Sequence, residues 1–477
     1  MKLNYSRVIL LFLVATILSC APTSQSLETG ARPLPAQFSA ATDSSNSIEN
    51  SPNWRTFFQD KYLVSLIDSA LESNFDRSIA LQRIQAVKSD LILTKGELLP
   101  SVTANVSSNL RRFGLYTMDG AGSITTDITP GLIVPIHLPD YYIGVQTSWE
   151  VDVWGKLKNR RKSAVARVLA STEGRNLITT ELVAELANLY YELLALDKMS
   201  SVVAKTSKIQ EDALEVVRVQ KNAAAGTELA VEQFEAGLFN LQALHQNVLL
   251  NIAQAENRIN QLIGRYPQRI ARDTAAFTSE SFTPYQIGVP SSMLRNRPDI
   301  RQAEMELLAS KADVASARAA FYPSLTITGA AGFQAFSTKY LFRTPESFAY
   351  GLFGDIVGPL VNRSALQAEF KRADAGQREA LLQYQKTIFS GFSEVYAEMV
   401  RLENLKKIEV LKVKESDVFN RSIKTSTELY RAGRATYVEV LLAQQNALQA
   451  SLDLIDTRKT QYQASVNLYK ALGGGWR

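Results

Sequence analysis

From Phe234 to Leu262 the apolar residues Phe234, Leu238, Leu241, Val248, Ile252, Ala255, Ile259 and Leu262 keep the spacing of four and three that lets two helices wind round each other. Much of this seam returns 207 residues later as Leu441, Leu448, Leu452, Ile455, Tyr462, Val466 and Tyr469. A seam shared at one offset makes the chain two copies of a single unit.

The duplication extends upstream at a second offset of 223, where Leu98-Leu99-Pro100-Ser101 matches Phe321-Tyr322-Pro323-Ser324 and Asp90 matches Asp313. After each proline the pattern changes to period two, the mark of a strand: Val102, Ala104, Val106 and Leu110 in one copy, Leu325, Ile327, Ala331 and Phe333 in the other. A second alternating run, Ile143, Val145, Trp149 and Val151, pairs at offset 207 with Tyr350, Leu352, Ile356 and Gly358. The two offsets differ by 16, so the first copy carries extra residues between its strands. That stretch, about Arg111 to Asp140, is rich in Gly, Thr and Pro and reads as an exposed loop.

Each unit is therefore expected to run short helix, strand, loop, strand, very long helix, turn, helix. The long stretches, about Lys156 to Lys221 and Arg363 to Tyr430, lack proline and would each extend roughly 100 Å at about 1.5 Å per residue. Leu182, Leu186, Leu189, Leu193 and Leu196 give the first a coiled-coil seam for its return helix. The turns fall at Ala225-Gly226 and Ala432-Gly433, where glycine can take the left-handed conformation that ends a helix.

Strands of about ten residues suit a tilted bilayer crossing, yet four cannot close a barrel, which needs about eight, and an open edge is not tolerated in lipid. If these strands span a membrane, the chain must oligomerise. The alternative is a small soluble sheet at the end of a coiled coil. The N-terminus favours the membrane: Lys2 and Arg7 precede the apolar stretch Val8 to Leu18, which reads as a secretory signal over 1–19. Ile17-Leu18-Ser19-Cys20 resembles a bacterial lipobox, with Cys20 as the acylated residue; the alternative is an unmodified cysteine in a discarded signal. The Ser/Thr/Pro-rich residues 20–51 suit a flexible tether behind a lipid anchor. With one cysteine, the exported chain must be stabilised by packing, which its 46% apolar content permits.

Four motifs resemble the outer-membrane efflux protein family of the TolC and OprM type. They are Trp54-Arg55-Thr56-Phe57-Phe58-Gln59-Asp60 through Leu66-Ile67 and Ala70-Leu71; Pro290-Ser291-Ser292 with Leu294 to Asp299; Tyr430-Arg431-Ala432-Gly433; and Ala471-Leu472-Gly473-Gly474-Gly475-Trp476. With the lipobox, they are most similar to its lipoprotein branch, the outer-membrane factors of RND-type efflux pumps. The resemblance implies a mainly α fold with β: a homotrimer whose strands form a 12-stranded barrel in the outer membrane, continued by a coiled-coil α-barrel in the periplasm. The implied divisions are repeats at 52–264 and 297–477 joined by a linker at 265–296. The implied partners are outer-membrane lipid, a periplasmic adapter and an inner-membrane RND-type pump that supplies the energy.

The same resemblance places acidic residues beyond the second hairpin tip at the closed end of the tunnel. Glu439 matches the first such position, whereas Leu442 stands at the next in place of an acid, so a double acidic ring is not implied. Glu232, 207 residues before Glu439, is a further gate candidate. Glu439 is off the seam and faces either the lumen or outer solvent. Gly226, Arg431 and Gly433 are candidates for adapter contact, with plain helix termination sufficient for both glycines. Arg431 is replaced in the first copy by Asn222 or Ala224, depending on alignment across the turn.

No chemistry competes with transport. Trp154-Gly155-Lys156-Leu157 lacks the spacing and hydroxyl of a phosphate-binding loop, so the channel is expected to be passive. His137 and His245 are the only histidines; no metal cluster, cofactor site or activated nucleophile is read, and the chain is not expected to be an enzyme. His245 falls on the seam as a core histidine, and His137 lies in the long loop. Net charge is +5, or +3 once Lys2 and Arg7 leave with the signal, and no basic run interleaved with aromatics indicates nucleic acid. Tyr340, Phe342, Phe348 and Tyr350 suit an interfacial girdle or ordinary barrel-facing positions. Besides an efflux channel, two alternatives stay open: a type I secretion conduit, and a non-conducting lipid-anchored coiled coil.

Overall fold

The computed structural model describes residues 53–273, 277, 290–358 and 363–476; the signal, Cys20, the tether and part of the linker lie outside them. Helices α1 (Trp54–Phe57), α2 (Lys61–Ser73) and α3 (Phe75–Gly96) lead to strand β1 (Ser101–Arg111), so three helices stand where one short helix is expected. Side chains punctuate them: Asn53 caps α1, and Asp60 accepts from the Tyr62 N–H at 2.7 Å to start α2. The loop after β1 contains helix α4 (Met118–Thr125), capped by Thr117, and the short ladder of β2 (Asp127–Thr129) with β3 (Leu132–Ile133), followed by β4 (Leu138–Val151). The stretch expected to be an open loop thus holds local hydrogen-bonded structure, while Tyr116 and Met118 are fully or nearly fully exposed.

Helix α5 (Lys156–Asn222) and its return α6 (Glu228–Ile263) complete the first copy. After α7 (Pro290–Asn296) at the end of the linker, the second consists of α8 (Pro298–Ala319), β5 (Ser324–Ala335), β6 (Phe348–Val357), α9 (Ser364–Arg431) and α10 (Tyr437–Ala471). The long helices α5 and α9 have 67 and 68 residues. Their length follows from unbroken helix formers, since no proline interrupts either.

The chain divides into two compact units. The sheet unit comprises Gln85–Val168 and Met305–Leu382. Its antiparallel sheet has the order β1-β4-β5-β6. Beside the sheet, Val314 and Ala317 of α8 and Phe321 just after it pack on Phe370 of α9, with the two rings edge to face at 6.3 Å. Asp152 starts α5 by accepting from the N–H groups of Leu157 and Lys158 at 3.0 and 2.8 Å.

The helical unit comprises the described residues up to Ile84, with Leu169–Glu304 and Gln383–Arg477. Along α6 the expected seam is buried at Phe234, Leu238, Leu241, Val248, Ala255, Ile259 and Leu262, and half-buried at Ile252. In α10 the structure corrects the offset. Helix α6 ends at left-handed Gly264 and α10 just before left-handed Gly473, 209 residues apart. At that offset Phe234, Leu238, Leu241, Val248, Ala255 and Ile259 match Ala443, Ala447, Ala450, Thr457, Ala464 and Leu468, and every member of both sets is buried. This small-residue face meets α10's own long helix, where Gln461 donates to the Leu405 carbonyl at 3.0 Å and Ala464 and Leu468 pack with Val395, Met399 and Leu402.

The large residues read at offset 207 form a second face of α10, packed on the first hairpin. Ile455, Val466 and Tyr469 join the core of α5 residues that includes Leu186, Tyr190 and Leu193, while Tyr462 stacks on Tyr191 at 4.7 Å. Asn188 donates to Asn467 at 3.0 Å along the same contact. Helix α10 is thus buried on two sides, against α9 and against α5. Its counterpart α6 buries one main apolar seam, which packs with α5, with α2 near its C-terminal end and with Tyr437 and Leu441 of α10 at the tip.

Candidate functional site

Two features bear on transport, one in each unit. In the sheet unit, strand register sorts the side chains of β1, β4 and β5 onto an apolar and a polar face, while β6 adds Phe353 and Val357 beside Thr328 and Ser324. Val102, Ala104, Val106 and Leu110 of β1 lie beside Thr147, Val145, Ile143 and Pro139 of β4. The same face continues through Leu325, Ile327, Ala331 and Phe333 of β5 to Ile356, Leu352, Tyr350 and Phe348 of β6. None of the described residues covers it: Val106, Leu352 and Ile356 are 75–76% exposed and Tyr350 81%. The opposite face carries Ser101, Thr103, Asn105, Ser107 and Asn109 of β1, Gln146, Ser148 and Glu150 of β4, and Thr326, Thr328 and Gln334 of β5. At its loop end Gln334 donates to Asp140 at 2.8 Å, with Arg111 at 3.8 Å from the same carboxylate.

Both ends of the apolar face are marked by aromatic rings. Phe333 contacts Phe342 and Phe348 at 5.7 and 5.8 Å, and Phe348 contacts Tyr350 at 6.1 Å, which places three of the four proposed girdle residues in one cluster. At the helix end, Trp149 donates to the Leu98 carbonyl at 3.1 Å, and Trp154 donates to the Pro323 carbonyl at 2.7 Å while stacking on Tyr322. In the sheet's middle Gly144 pairs with Gly332. A Cβ on Gly144 would lie 2.5 Å from the Ala331 carbonyl and from the Tyr142 hydroxyl, so the absent side chain lets the tyrosine fold over the sheet.

In the helical unit the two hairpin tips lie together. Leu214 and Val217 of α5, Ala230, Val231, Phe234 and Leu238 of α6, and Tyr437 and Leu441 of α10 form one apolar cluster. The Tyr430 hydroxyl donates to Gln220 at 2.7 Å, joining the ends of the long helices. Both turns use the same hydrogen bonds: Ala225 N–H to Gln220 O with Ala224 N–H to Lys221 O, and Arg434 N–H to Leu429 O with Gly433 N–H to Tyr430 O. Gly433 is left-handed as expected, at φ +67°. In the first copy the left-handed residue is Ala224, at φ 57°, in place of Gly226. Gly226 is needed for a close approach instead, since a Cβ there would lie 3.1 Å from the Lys221 nitrogen. The tip offset is therefore 209, which matches Arg431 with Asn222 and Glu439 with Ala230; Glu232 corresponds to Leu441.

Glu439 and Glu232 are exposed, Leu442 is 51% exposed, and Arg431 and Gly433 are exposed at the turn. Glu439 and Leu442 are three residues apart and share a face of α10. Glu439 also has a local structural role: its carboxylate accepts from the Thr436 backbone N–H at 2.8 Å as the third residue of a capping box. The Thr436-x-x-Glu439 spacing carries this signal in the sequence, and Thr227-x-x-Ala230 lacks it. His245 is half-buried and paired with Ser200 at 3.0 Å across the hairpin, and His137 is exposed. Among the described residues no group of three or more His, Cys, Asp or Glu could hold a metal ion.

Comparisons with known proteins agree with this geometry. The chain is 28% identical over 460 residues to the pyoverdine export outer membrane protein OpmQ of Pseudomonas aeruginosa, covering 96% of this chain and 94% of that one. It is 26% identical over 480 residues to a probable outer membrane lipoprotein, SilC, of Salmonella typhimurium, covering 100% and 99%. The fold superposes on the outer-membrane channel OprN with a TM-score of 0.82 at 24% identity, covering 96% of this chain and 99% of that one. The family described as outer membrane efflux protein matches residues 66–265 and 289–474, and with most of its length so accounted for, the chain belongs to that family.

Proposed function

We propose that the protein is the passive outer-membrane channel of a tripartite efflux system, receiving small molecules from an inner-membrane RND-type pump through a periplasmic adapter. The observation that carries this reading is the two-faced sheet with β1 and β6 at its edges. The apolar face suits lipid and the polar face an aqueous lumen. Lipid does not tolerate an open edge, so β6 of one copy pairs with β1 of the next. Strand directions alternate through β1-β4-β5-β6, so that junction is also antiparallel, and three copies of the four-stranded sheet make 12 strands. Strands of 10 to 14 residues are long enough to cross when tilted.

The long hairpins form the periplasmic tunnel. Their tips, with Gly226, Arg431 and Gly433, meet the adapter, and Glu439, Leu442 and Glu232 stand at the entrance as gate candidates. Cys20 carries the lipid anchor, followed by the tether. The domain divisions at 52–264, 265–296 and 297–477 follow the two copies. Export across the outer membrane is the role in OpmQ's name, and pump and adapter choose the cargo here.

The test is a mild crosslinking pull-down of tagged, membrane-extracted protein, followed by bilayer conductance of purified trimers. An adapter with a proton-driven pump supports efflux. An ATP-driven exporter in their place assigns the channel to type I secretion. Absence of conductance favours the lipid-anchored coiled coil.

A further inference from the structure

The first 13 residues of α5, Lys156 to Val168, contain six cations and no acid. The sheet unit neutralises three of them. Lys156 pairs with Glu150 at 2.6 Å, Arg160 with Glu97 at 3.0 Å, and Arg167 with Asp313 at 2.6 Å. With 3.6 residues per turn these three fall within about 40° of one another. Lys158, Arg161 and Lys162 lie roughly 140–240° round the helix from Lys156. All three are exposed, and none has an anionic partner among the described residues.

The sheet tells which way each set faces. Glu150, opposite Thr326, is on the polar face, so Lys156 reaches that side, while Arg160 and Arg167 turn to Glu97 and Asp313 beside α5. The unpaired three are on the opposite, exposed side of α5, where Val165 and Leu169 are exposed as well. Near the helix end of the apolar face stands Trp149, and Trp154 lies just before the helix, with indole N–H groups anchored on the Leu98 and Pro323 carbonyls. Tryptophan in this position marks a membrane interface. The Asp152 carboxylate is engaged with the backbone N–H groups of Leu157 and Lys158 at the helix start, and the side chains of Lys158, Arg161 and Lys162 are left without an acid of their own among the described residues. An adjoining layer of phosphate would supply the missing counter-charge.

We propose that Lys158, Arg161 and Lys162 form a docking surface for anionic phospholipid headgroups, in the leaflet at the helix-bearing end of the sheet. The proposal rests on the reading of the sheet as membrane-spanning. It specifies that the protein selects lipid by headgroup charge, in addition to any acyl anchor.

The test uses full-length trimers in nanodiscs of phosphatidylcholine mixed with phosphatidylglycerol, with the lipid retained on gentle extraction quantified. Wild type is expected to retain phosphatidylglycerol above its bulk share and to lose the excess in high salt. Replacing Lys158, Arg161 and Lys162 by Gln should weaken that retention roughly a hundredfold, because each surface cation contributes several-fold. Lys158→Arg with Lys162→Arg should preserve it, as should Lys205→Gln with Lys424→Gln on exposed cations of the helical unit. No enrichment by inserted wild type, or full enrichment in the Gln variant, overturns the proposal. So does saturation by inorganic phosphate in detergent that leaves no preference between the two lipids. Failure of wild type to insert into either lipid overturns the membrane-spanning reading, and this proposal with it. The salt-dependent wild-type measurement decides the matter even if the Gln variant does not fold.

Discussion

The Glu439 carboxylate and the Thr436 backbone N–H meet at 2.8 Å and close the first turn of α10. Glutamine can make the same contact without the charge. Glu439→Gln should therefore unfold within about 0.5 kcal/mol of wild type. Glu439→Ala, which loses the contact, should be about 1 kcal/mol less stable. With folding preserved, Glu439→Gln is expected to lower cation preference in bilayer recordings. An unchanged reversal potential in a salt gradient would remove Glu439 from the gate.

Gly144 and Gly332 face each other across β4 and β5, each with backbone atoms closer than 3 Å to where a Cβ would stand. Gly332→Val should force the strands apart, at a cost of about 3 kcal/mol or more. The expected result is loss of membrane-extracted trimers on native gels. Gly354→Ala, with open space at its Cβ position, should assemble normally.

Ala224 holds φ 57° at the first tip, where Gly433 holds the equivalent place in the second. A left-handed alanine costs about 1–2 kcal/mol, part of which glycine returns through its greater freedom when unfolded. Ala224→Gly should stabilise by roughly 0.5–1 kcal/mol in denaturant unfolding. A destabilised variant would show that the turn does not carry this strain.

Burial raises the Glu398 carboxyl above the usual carboxylate range; Arg401, 3.6 Å away, pulls it only part of the way back, and Glu394 adds to the rise. Its Oε2 is buried with no hydrogen-bond partner. The folded state therefore holds this proton more tightly than the unfolded chain. The contribution to stability is greatest below the unfolded pKa, about 4.3, and falls as pH rises through the folded value. Glu398→Gln should raise thermal stability at neutral pH and flatten its decline through mildly acidic pH. Parallel stability profiles for both proteins would contradict this.

Much of the site was legible because its determinants are local. Period-two alternation after Pro100 and Pro323 located β1 and β5, and proline-free runs ended at tip glycines located α5 and α9 within a residue or two. The register of α10 was harder to read. Ala464 and Leu468 pack with α9, the same face carries the buried Ala443, Ala447 and Ala450, and small residues leave little trace in a pattern of large apolar ones. The large residues that do stand out, Ile455, Tyr462, Val466 and Tyr469, serve a second interface with α5. The glycine reading failed at Gly226 because the left-handed place, two residues earlier, is occupied by alanine.

The sequence by itself determined which segments are strand or helix, their order, and the two-copy plan, since these depend on periodicity and helix-breaking residues along the chain. Tertiary structure decided the 209-residue correspondence of the return helices, the burial of α10 on two sides, and the division of α5's cations into a neutralised face and a free one. Those outcomes depend on which surfaces meet. Glu150 is six residues from Lys156, but Glu97, just after α3, and Asp313 of α8 come to α5 from far along the chain, so distance in sequence carries no record of their pairing.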